Sequence, residues 1–214
     1  MSVAAVVVAA GRGVRFGGPK QFAVLGNETV SARSVRAARS VADYVVLVVP
    51  DDYRGTGEGA DVIVVGGASR SASVRLGLAP CVDADIVIVH DAARPFASAA
   101  LFTSVVEAVR AGADAAIPGL AVTDTLKRVA RVDTDTVVLE TVSREELVAV
   151  QTPQAFRREL LERAHQLGDD ATDDAALVEA LGARVVVVAG ELSNFKITRP
   201  EDFSRLTSSE GSTT

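Results

Sequence analysis

The sequence predicts an α/β fold: a Rossmann-like, mostly parallel, doubly wound sheet with helices on both faces, extended by a protruding β-hairpin arm. Three observations predict it. Short Val/Ile-rich runs bounded by Pro, Gly or Asp recur at Val3 to Val8, Tyr44 to Val49, Asp61 to Val65 and Asp85 to Val89. Runs this short and apolar suit strands buried on both faces. The segments between several of them carry helical spacing, and strands alternating with helices build a parallel sheet. Beyond Gly112 the pattern changes to β-rich segments around a polar stretch.

In chain order, Val3 to Val8 leads into the glycine-rich stretch Ala9 to Lys20, AAGRGVRFGGPK. A helix is expected over Thr29 to Val41, with Val30, Val35, Ala38 and Val41 on one side, a second over Ser71 to Leu78, and a third over Ala99 to Ala111. Ala113 to Ile117 reads as a strand. Thr123 to Leu126 and Thr136 to Thr141 flank the polar Arg131 to Asp135 in the manner of a hairpin, an arm of about residues 123–145. An exposed hairpin edge tends to be covered, and a second subunit is the obvious cover, so a homodimer is expected. Leu147 to Gln151 returns as a strand. Phe156 to Leu167 and Thr172 to Leu181 read as helices, the latter opening with Thr172, Asp173 and Asp174 as cap and first-turn acids. Arg184 to Ala189 is the last strand, and Pro200 sits in the first turn of a final helix. One domain over residues 1–207 is expected, then a disordered tail over 208–214 that carries no apolar anchor.

Composition bounds the function. With 214 residues, 48% of them hydrophobic, the chain can bury one substantial core. The net charge of −6 argues against nucleic acid or an acidic membrane surface as partner, while leaving room for a local basic pocket. The lone Cys81 cannot form an internal disulfide, and no nucleophile motif surrounds it, so a packed thiol in a reducing cytoplasm is expected. Val3 to Ala10 is too short to span a membrane. Only three of the 22 basic residues are lysines, and Lys20, Lys127 and Lys196 all fall in motif-like stretches.

Open parallel sheets bind ligands at the C-terminal ends of their strands. The loop after the first strand carries Gly11, Gly13, Gly17 and Gly18, which let backbone amides approach a ligand, and Arg15 and Lys20, which suit a polyphosphate. After the third strand, Gly66-Gly67-Ala68-Ser69-Arg70-Ser71-Ala72-Ser73 either holds a base or phosphate, through backbone groups and the Ser73 hydroxyl, or is a tight turn with a capping serine. After the fourth, His90-Asp91-Ala92-Ala93-Arg94-Pro95 places Asp91 either as a Mg²⁺ ligand or in a local ion pair with Arg94. Thr125, Lys127 and Arg144 on the arm either reach a neighbour's site or are solvated edge residues. Lys196, bracketed by apolar residues, either snorkels from an edge strand or is held at a site.

A dinucleotide fingerprint would need glycine in place of Phe16, and no G-x-x-x-x-G-K-[ST] phosphate loop is present. What remains is Arg15, Lys20 and Lys196 as cations with Asp91 as a metal ligand, and no Ser-His-Asp or Cys-His constellation. That inventory suits phosphoryl or nucleotidyl transfer by positioning and charge stabilisation.

The segments AAGRGVRFGGPKQ, GGASRSASV, HDAARP, DTLKR, QTPQ, TDD and NFKITRPED, in that order across nearly the whole chain, resemble the 2-C-methyl-D-erythritol 4-phosphate cytidylyltransferase family of the nucleotidyltransferase superfamily. The resemblance implies CMP transfer from CTP to methylerythritol phosphate in the non-mevalonate isoprenoid pathway, with Mg²⁺ or another divalent cation, in a cytoplasmic homodimer with exchanged arms. It implies that Arg15 and Lys20 stabilise the α-phosphate charge. Arg144 of a partner subunit and Lys196 would hold the methylerythritol phosphate, Asp91 would bind the metal, and Arg94, Thr125 and Thr152 would line the sugar-phosphate pocket. Ala9, Ala10, Gly11, Gly13, Gly67, Arg70 and Ser73 fall to the CTP side. Ribitol 5-phosphate cytidylyltransferases share much of this pattern and are the nearest alternative.

Overall fold

In the computed structural model of the chain, the described residues are 1–13, 16–167 and 171–203. The strands are β1 (Val3–Val8), β2 (Val24–Leu25), β3 (Glu28–Thr29), β4 (Tyr44–Val49), β5 (Val62–Val65), β6 (Ile86–Asp91), β7 (Ala115–Ala121), β8 (Leu126–Val132), β9 (Asp135–Val142), β10 (Val148–Val150), β11 (Gln154–Arg157) and β12 (Val185–Ala189). The helices are α1 (Val30–Arg39), α2 (Arg70–Leu78), α3 (Ala99–Arg110), α4 (Arg158–Leu167) and α5 (Asp174–Glu179). Residues 200–203 are also helical, so Pro200 does open a last helical segment. The expected tail, residues 208–214, lies outside the described residues. Among the described residues no helix is long and apolar enough to cross a membrane.

Eight strands form one sheet in the order β10, β7, β11, β6, β1, β4, β5, with β12 also paired to β7. β1 runs parallel to both β4 and β6, and β4 parallel to β5. The sheet is doubly wound because alternate residues of β1 feed different cores. Val3, Ala5 and Val7 pack with Val35, Ala38, Leu101, Phe102 and Val105, whereas Ala4 and Val6 pack with Val74, Leu78, Leu161 and Val178. A period of two therefore buries both faces. The helices start where a side chain can accept a first-turn amide: Thr29 from Ala32, Ser69 from Ala72, Ser98 from Leu101 and Asp173 from Ala176.

Two sequence expectations change. The helix expected from Phe156 begins at Arg158. Gln154–Arg157 instead form β11, inserted antiparallel between β6 and β7, where Phe156 is fully buried opposite Val87 and Ala115. Tertiary burial overrides the continuous helical pattern there. The arm's first strand is Leu126–Val132, not Thr123 to Leu126, and only Asp133 and Thr134 separate it from β9. Most of both strands is exposed, so no buried face marks their register. The capping serine expected in the turn before α2 is Ser69.

Candidate active site

The C-terminal ends of β1, β5 and β6 converge, with Val8 in register beside Asp91. A cleft of about 610 Å³ opens above them, lined by Val8 to Gly13, Lys20 and Gln21, by Gly67 to Arg70 and Ser73, and by Asp91, Ala93 and Lys196. Its floor is mostly backbone, as the glycines require. Gly13 has φ +62° and its carbonyl accepts amides from Phe16, Gly17 and Gly18, folding the loop back on itself. A Cβ at Gly13 would collide with the Gly18 carbonyl, and one at Gly67 would lie 2.6 Å from the Ala72 methyl. Buried Gln21 fastens the loop's root, its Nε2 donating to the carbonyls of Ala9 (2.5 Å) and Gly11 (2.7 Å).

Ser73 is buried, and its hydroxyl donates to the Ser69 carbonyl and accepts from the Gly67 amide at 3.1 Å. It holds the turn rather than offering a free donor to the cleft. Ala9, Ala10, Gly11, Gly13, Gly67, Arg70, Lys20 and Asp91 all meet in this one cleft. Arg15 lies outside the described residues.

Asp91 is the electrostatic centre. Its Oδ1 accepts from Arg70 Nε at 3.1 Å and its Oδ2 from Lys196 Nζ at 2.6 Å, bringing together residues 105 apart in the chain. Burial alone would raise the Asp91 carboxyl, but Arg70 and Lys196 outweigh it and hold it well below the usual carboxylate range. For Arg70, burial opposes the charge, and Asp91 and Asp174 more than offset it, so the guanidinium stays above its usual range. The alternative reading of a local Asp91 to Arg94 pair does not hold, because Asp91 pairs with Arg70 and Lys196 instead. Arg94 donates to the carbonyls of Asn194 (2.7 Å) and Val150 (3.5 Å). Lys196 is therefore held at a site.

A second cleft of about 240 Å³ adjoins the first and shares Arg70, Asp91 and Lys196 with it. Arg94, Val150, Gln151, Thr152, Gln154, Thr172 and Asp173 complete it. Behind its wall lies a network that sequence reasoning missed. The Asp91 amide donates to Thr152 Oγ1 at 3.0 Å, and Thr152 Oγ1 lies 3.2 Å from His90 Nδ1, whose Nε2 lies 3.2 Å from the Arg94 carbonyl. A carbonyl can only accept, so Nε2 carries the proton and Nδ1 accepts from Thr152. Burial pushes His90 down to about 4, which keeps it neutral. Gln151 exchanges hydrogen bonds with Glu191 and Asn194, and Asn194 Nδ2 reaches the Thr152 carbonyl at 2.9 Å. These bonds dock the segment that presents Lys196 onto the QTPQ turn. The available signal was positional, since Gln21 and Gln151 adjoin Lys20 and Thr152 at strand or loop ends.

Thr125 and Arg144 line neither cleft of their own chain. Arg144 is exposed and donates to the Thr123 carbonyl, and Lys127 donates to Thr141 Oγ1 at 2.6 Å along the hairpin. Val129, Val132, Val137, Val138 and Leu139 on this arm are 43–59% exposed. Cys81 is packed as expected, and burial pushes its thiol up to about 12.

Among the described residues no group of three or more His, Cys, Asp or Glu side chains could hold a metal. A single carboxylate beside a phosphate-sized cleft instead fits Mg²⁺, which keeps waters and takes one or two carboxylates plus substrate phosphates. Asp91 lines the larger cleft with its carboxylate.

A family model described as 2-C-methyl-D-erythritol 4-phosphate cytidylyltransferase matches residues 3–208. The chain is 48% identical to the protein of that name from Rhodococcus jostii (strain RHA1), over 94% of this chain and 91% of that protein. It is 47% identical to a bifunctional IspD/IspF enzyme of Anaeromyxobacter sp. (strain Fw109-5), of which it spans 56%. The crystal structure of 2-C-methyl-D-erythritol 4-phosphate cytidylyltransferase from Thermus thermophilus is similar with a TM-score of 0.80 and 38% identity, covering 96% of this chain and 97% of that one. The seven sequence segments, the sheet that gathers them and these likenesses agree, and the chain belongs to the 2-C-methyl-D-erythritol 4-phosphate cytidylyltransferase family.

Proposed function

We propose that the chain transfers CMP from CTP to 2-C-methyl-D-erythritol 4-phosphate, forming 4-diphosphocytidyl-2-C-methyl-D-erythritol and pyrophosphate for isoprenoid precursor synthesis. The observation that carries this reading is the pair of adjoining clefts sharing Arg70, Asp91 and Lys196: one of nucleotide size with a glycine-backbone floor, one smaller and polar.

In this reading the larger cleft takes CTP, with backbone groups of Ala9 to Gly13 and Gly67 around the nucleotide. The smaller takes the acceptor between Arg94 and Thr152. A phosphate oxygen of methylerythritol phosphate attacks the α-phosphorus of CTP in line. The new O–P bond forms as the bond from the α-phosphorus to the bridging oxygen breaks, and pyrophosphate leaves with that electron pair. The acceptor enters as an anion, so no side chain needs to remove a proton. Arg15 and Lys20 stabilise the charge that builds on the α-phosphate, and Lys196 holds the attacking phosphate across the shared wall. Asp91 would hold Mg²⁺, and the cation would supply neutralisation of the triphosphate charge.

The exposed apolar residues of the arm support a homodimer in which Arg144 and Thr125 of one subunit complete the acceptor cleft of the other. The continuous eight-stranded sheet supports residues 1–207 acting as one domain, and the unpaired, buried Cys81 thiol supports a cytoplasmic setting. Neither nucleic acid nor a membrane enters the scheme. The test is pyrophosphate release with CTP, Mg²⁺ and methylerythritol phosphate; better use of ribitol 5-phosphate than of methylerythritol phosphate would overturn the acceptor assignment.

A further inference from the structure

The TDD segment has so far served only to start α5, yet its Asp174 side chain is completely buried and bonded on both oxygens. Oδ2 accepts from Arg70 Nη1 at 2.8 Å and Oδ1 lies 3.0 Å from His165 Nε2, itself buried. Arg70 Nε donates onward to Asp91 Oδ1 at 3.1 Å, and Lys196 Nζ closes the line at Asp91 Oδ2. A continuous chain of polar contacts thus runs from the α4–α5 contact, through Arg70, into the shared wall of both clefts.

This arrangement is more than packing requires. A buried ion pair adds little net stability, because desolvation offsets the attraction, so stability alone does not account for a carboxylate at this position. Position does. An arginine side chain has many rotamers to lose, and a single ion pair at a cleft wall would leave it free to swing. A second carboxylate on another edge of the guanidinium fixes its plane. With that plane fixed, Nε sets the rotation of the Asp91 carboxylate. The line also balances charge, two carboxylates against two cations, so loss of Asp174 would leave one positive charge in excess beside Asp91.

We propose that Asp174 is a positioning residue for the transfer reaction, acting through Arg70 to aim the Asp91 carboxylate into the nucleotide cleft. The inference rests on the cytidylyl-transfer reading of that cleft. In Asp174→Asn, which keeps the shape and loses the charge, kcat is expected to fall roughly 10-fold, the lower end of the range for losing a group bonded directly to a metal ligand, because Arg70 stands between Asp174 and Asp91. KM for methylerythritol phosphate is expected to stay within about 3-fold, since Asp174 touches no acceptor group. The discriminating measurement is a double-mutant cycle. If Asp174 acts through Arg70, the Asp174→Asn/Arg70→Met double variant is no slower than Arg70→Met alone, within about 2-fold. Independent losses that multiply would overturn the proposal. Should Asp174→Asn fail to fold, Asp174→Glu replaces it in the same cycle, keeping the charge and displacing the anchor, with a loss of about 3-fold or more expected and unchanged kcat overturning the proposal. An active wild type with unchanged kcat in Asp174→Asn would overturn this inference alone. A wild type that releases no pyrophosphate would overturn the underlying reading and this inference with it.

Discussion

Replacing Asp91 by Asn separates binding from turnover at the centre of the site. The substitution keeps the volume of a buried side chain and removes one charge, leaving Arg70 on Asp174 and Lys196 without its carboxylate. Two charge-assisted hydrogen bonds are weakened. The Arg70 bond lies in a mostly buried setting and is worth about 2–3 kcal/mol. The Lys196 bond, although 2.6 Å long, belongs to a side chain 40% exposed, so solvent screening reduces it to about 1 kcal/mol. If that organisation is used in the transition state, the loss of about 3–4 kcal/mol corresponds to roughly 10²- to 10³-fold in kcat/KM. CTP binding without divalent metal should hold or tighten, because an anion has left a site that receives a polyanion. The assay is steady-state pyrophosphate release beside titration calorimetry of CTP in metal-free buffer. An Asp91→Asn enzyme within 3-fold of wild-type kcat/KM, or one whose loss is matched by weaker metal-free CTP binding, would refute the reasoning.

Other predictions follow from the same geometry. Gly13→Ala forces a side chain onto a left-handed backbone against the Gly18 carbonyl, so CTP affinity should fall more than 10-fold while the melting temperature moves little; unchanged affinity by calorimetry would contradict the loop's role. His90 is held neutral in the fold at about 4 against 6.5 for the free group, so the unfolded chain gains a proton that the fold refuses. Stability is then nearly complete above about pH 7.5 and declines as pH falls through 6.5 toward about 4, by about 2 kcal/mol between pH 7.5 and pH 5. Urea unfolding at pH 7.5 and 5.0 should show that drop, reduced in His90→Gln; an equal drop in both proteins would count against it. For the arm, mixing inactive Lys20→Ala and Arg144→Ala homodimers should restore part of the activity through hybrid sites, and no recovery despite subunit exchange would argue against a site completed across the dimer.

The parallel half of the fold was legible because each strand there is buried on both faces, so Val3–Val8 and Tyr44–Val49 announce themselves as unbroken apolar runs. The short antiparallel β11 was not, because Gln154–Arg157 runs directly into α4 and only contact with β6 and β7 decides that Phe156 is extended. The hairpin was legible as an arm but not in its bounds, since strands exposed on both faces carry no register signal. In the site, the glycines and the two lysines of the cleft stood out by type and spacing. The contact of Asp91 with Arg70 and Lys196 did not, because it joins residues that only the sheet order brings together. Gln21, Gln151 and Asn194 were harder still. Their work is to hold backbone, which many polar residues can do, and only their buried partners reveal it.

The most direct test of the central claim is acceptor selectivity with the purified chain. CTP, Mg²⁺ and either methylerythritol phosphate or ribitol 5-phosphate are supplied, pyrophosphate release is followed, and the nucleotide product is identified by ³¹P NMR. Membership of the 2-C-methyl-D-erythritol 4-phosphate cytidylyltransferase family predicts rapid formation of 4-diphosphocytidyl-2-C-methyl-D-erythritol and a kcat/KM for methylerythritol phosphate well above that for ribitol 5-phosphate. No pyrophosphate with either acceptor, or a clear preference for ribitol 5-phosphate, would contradict it.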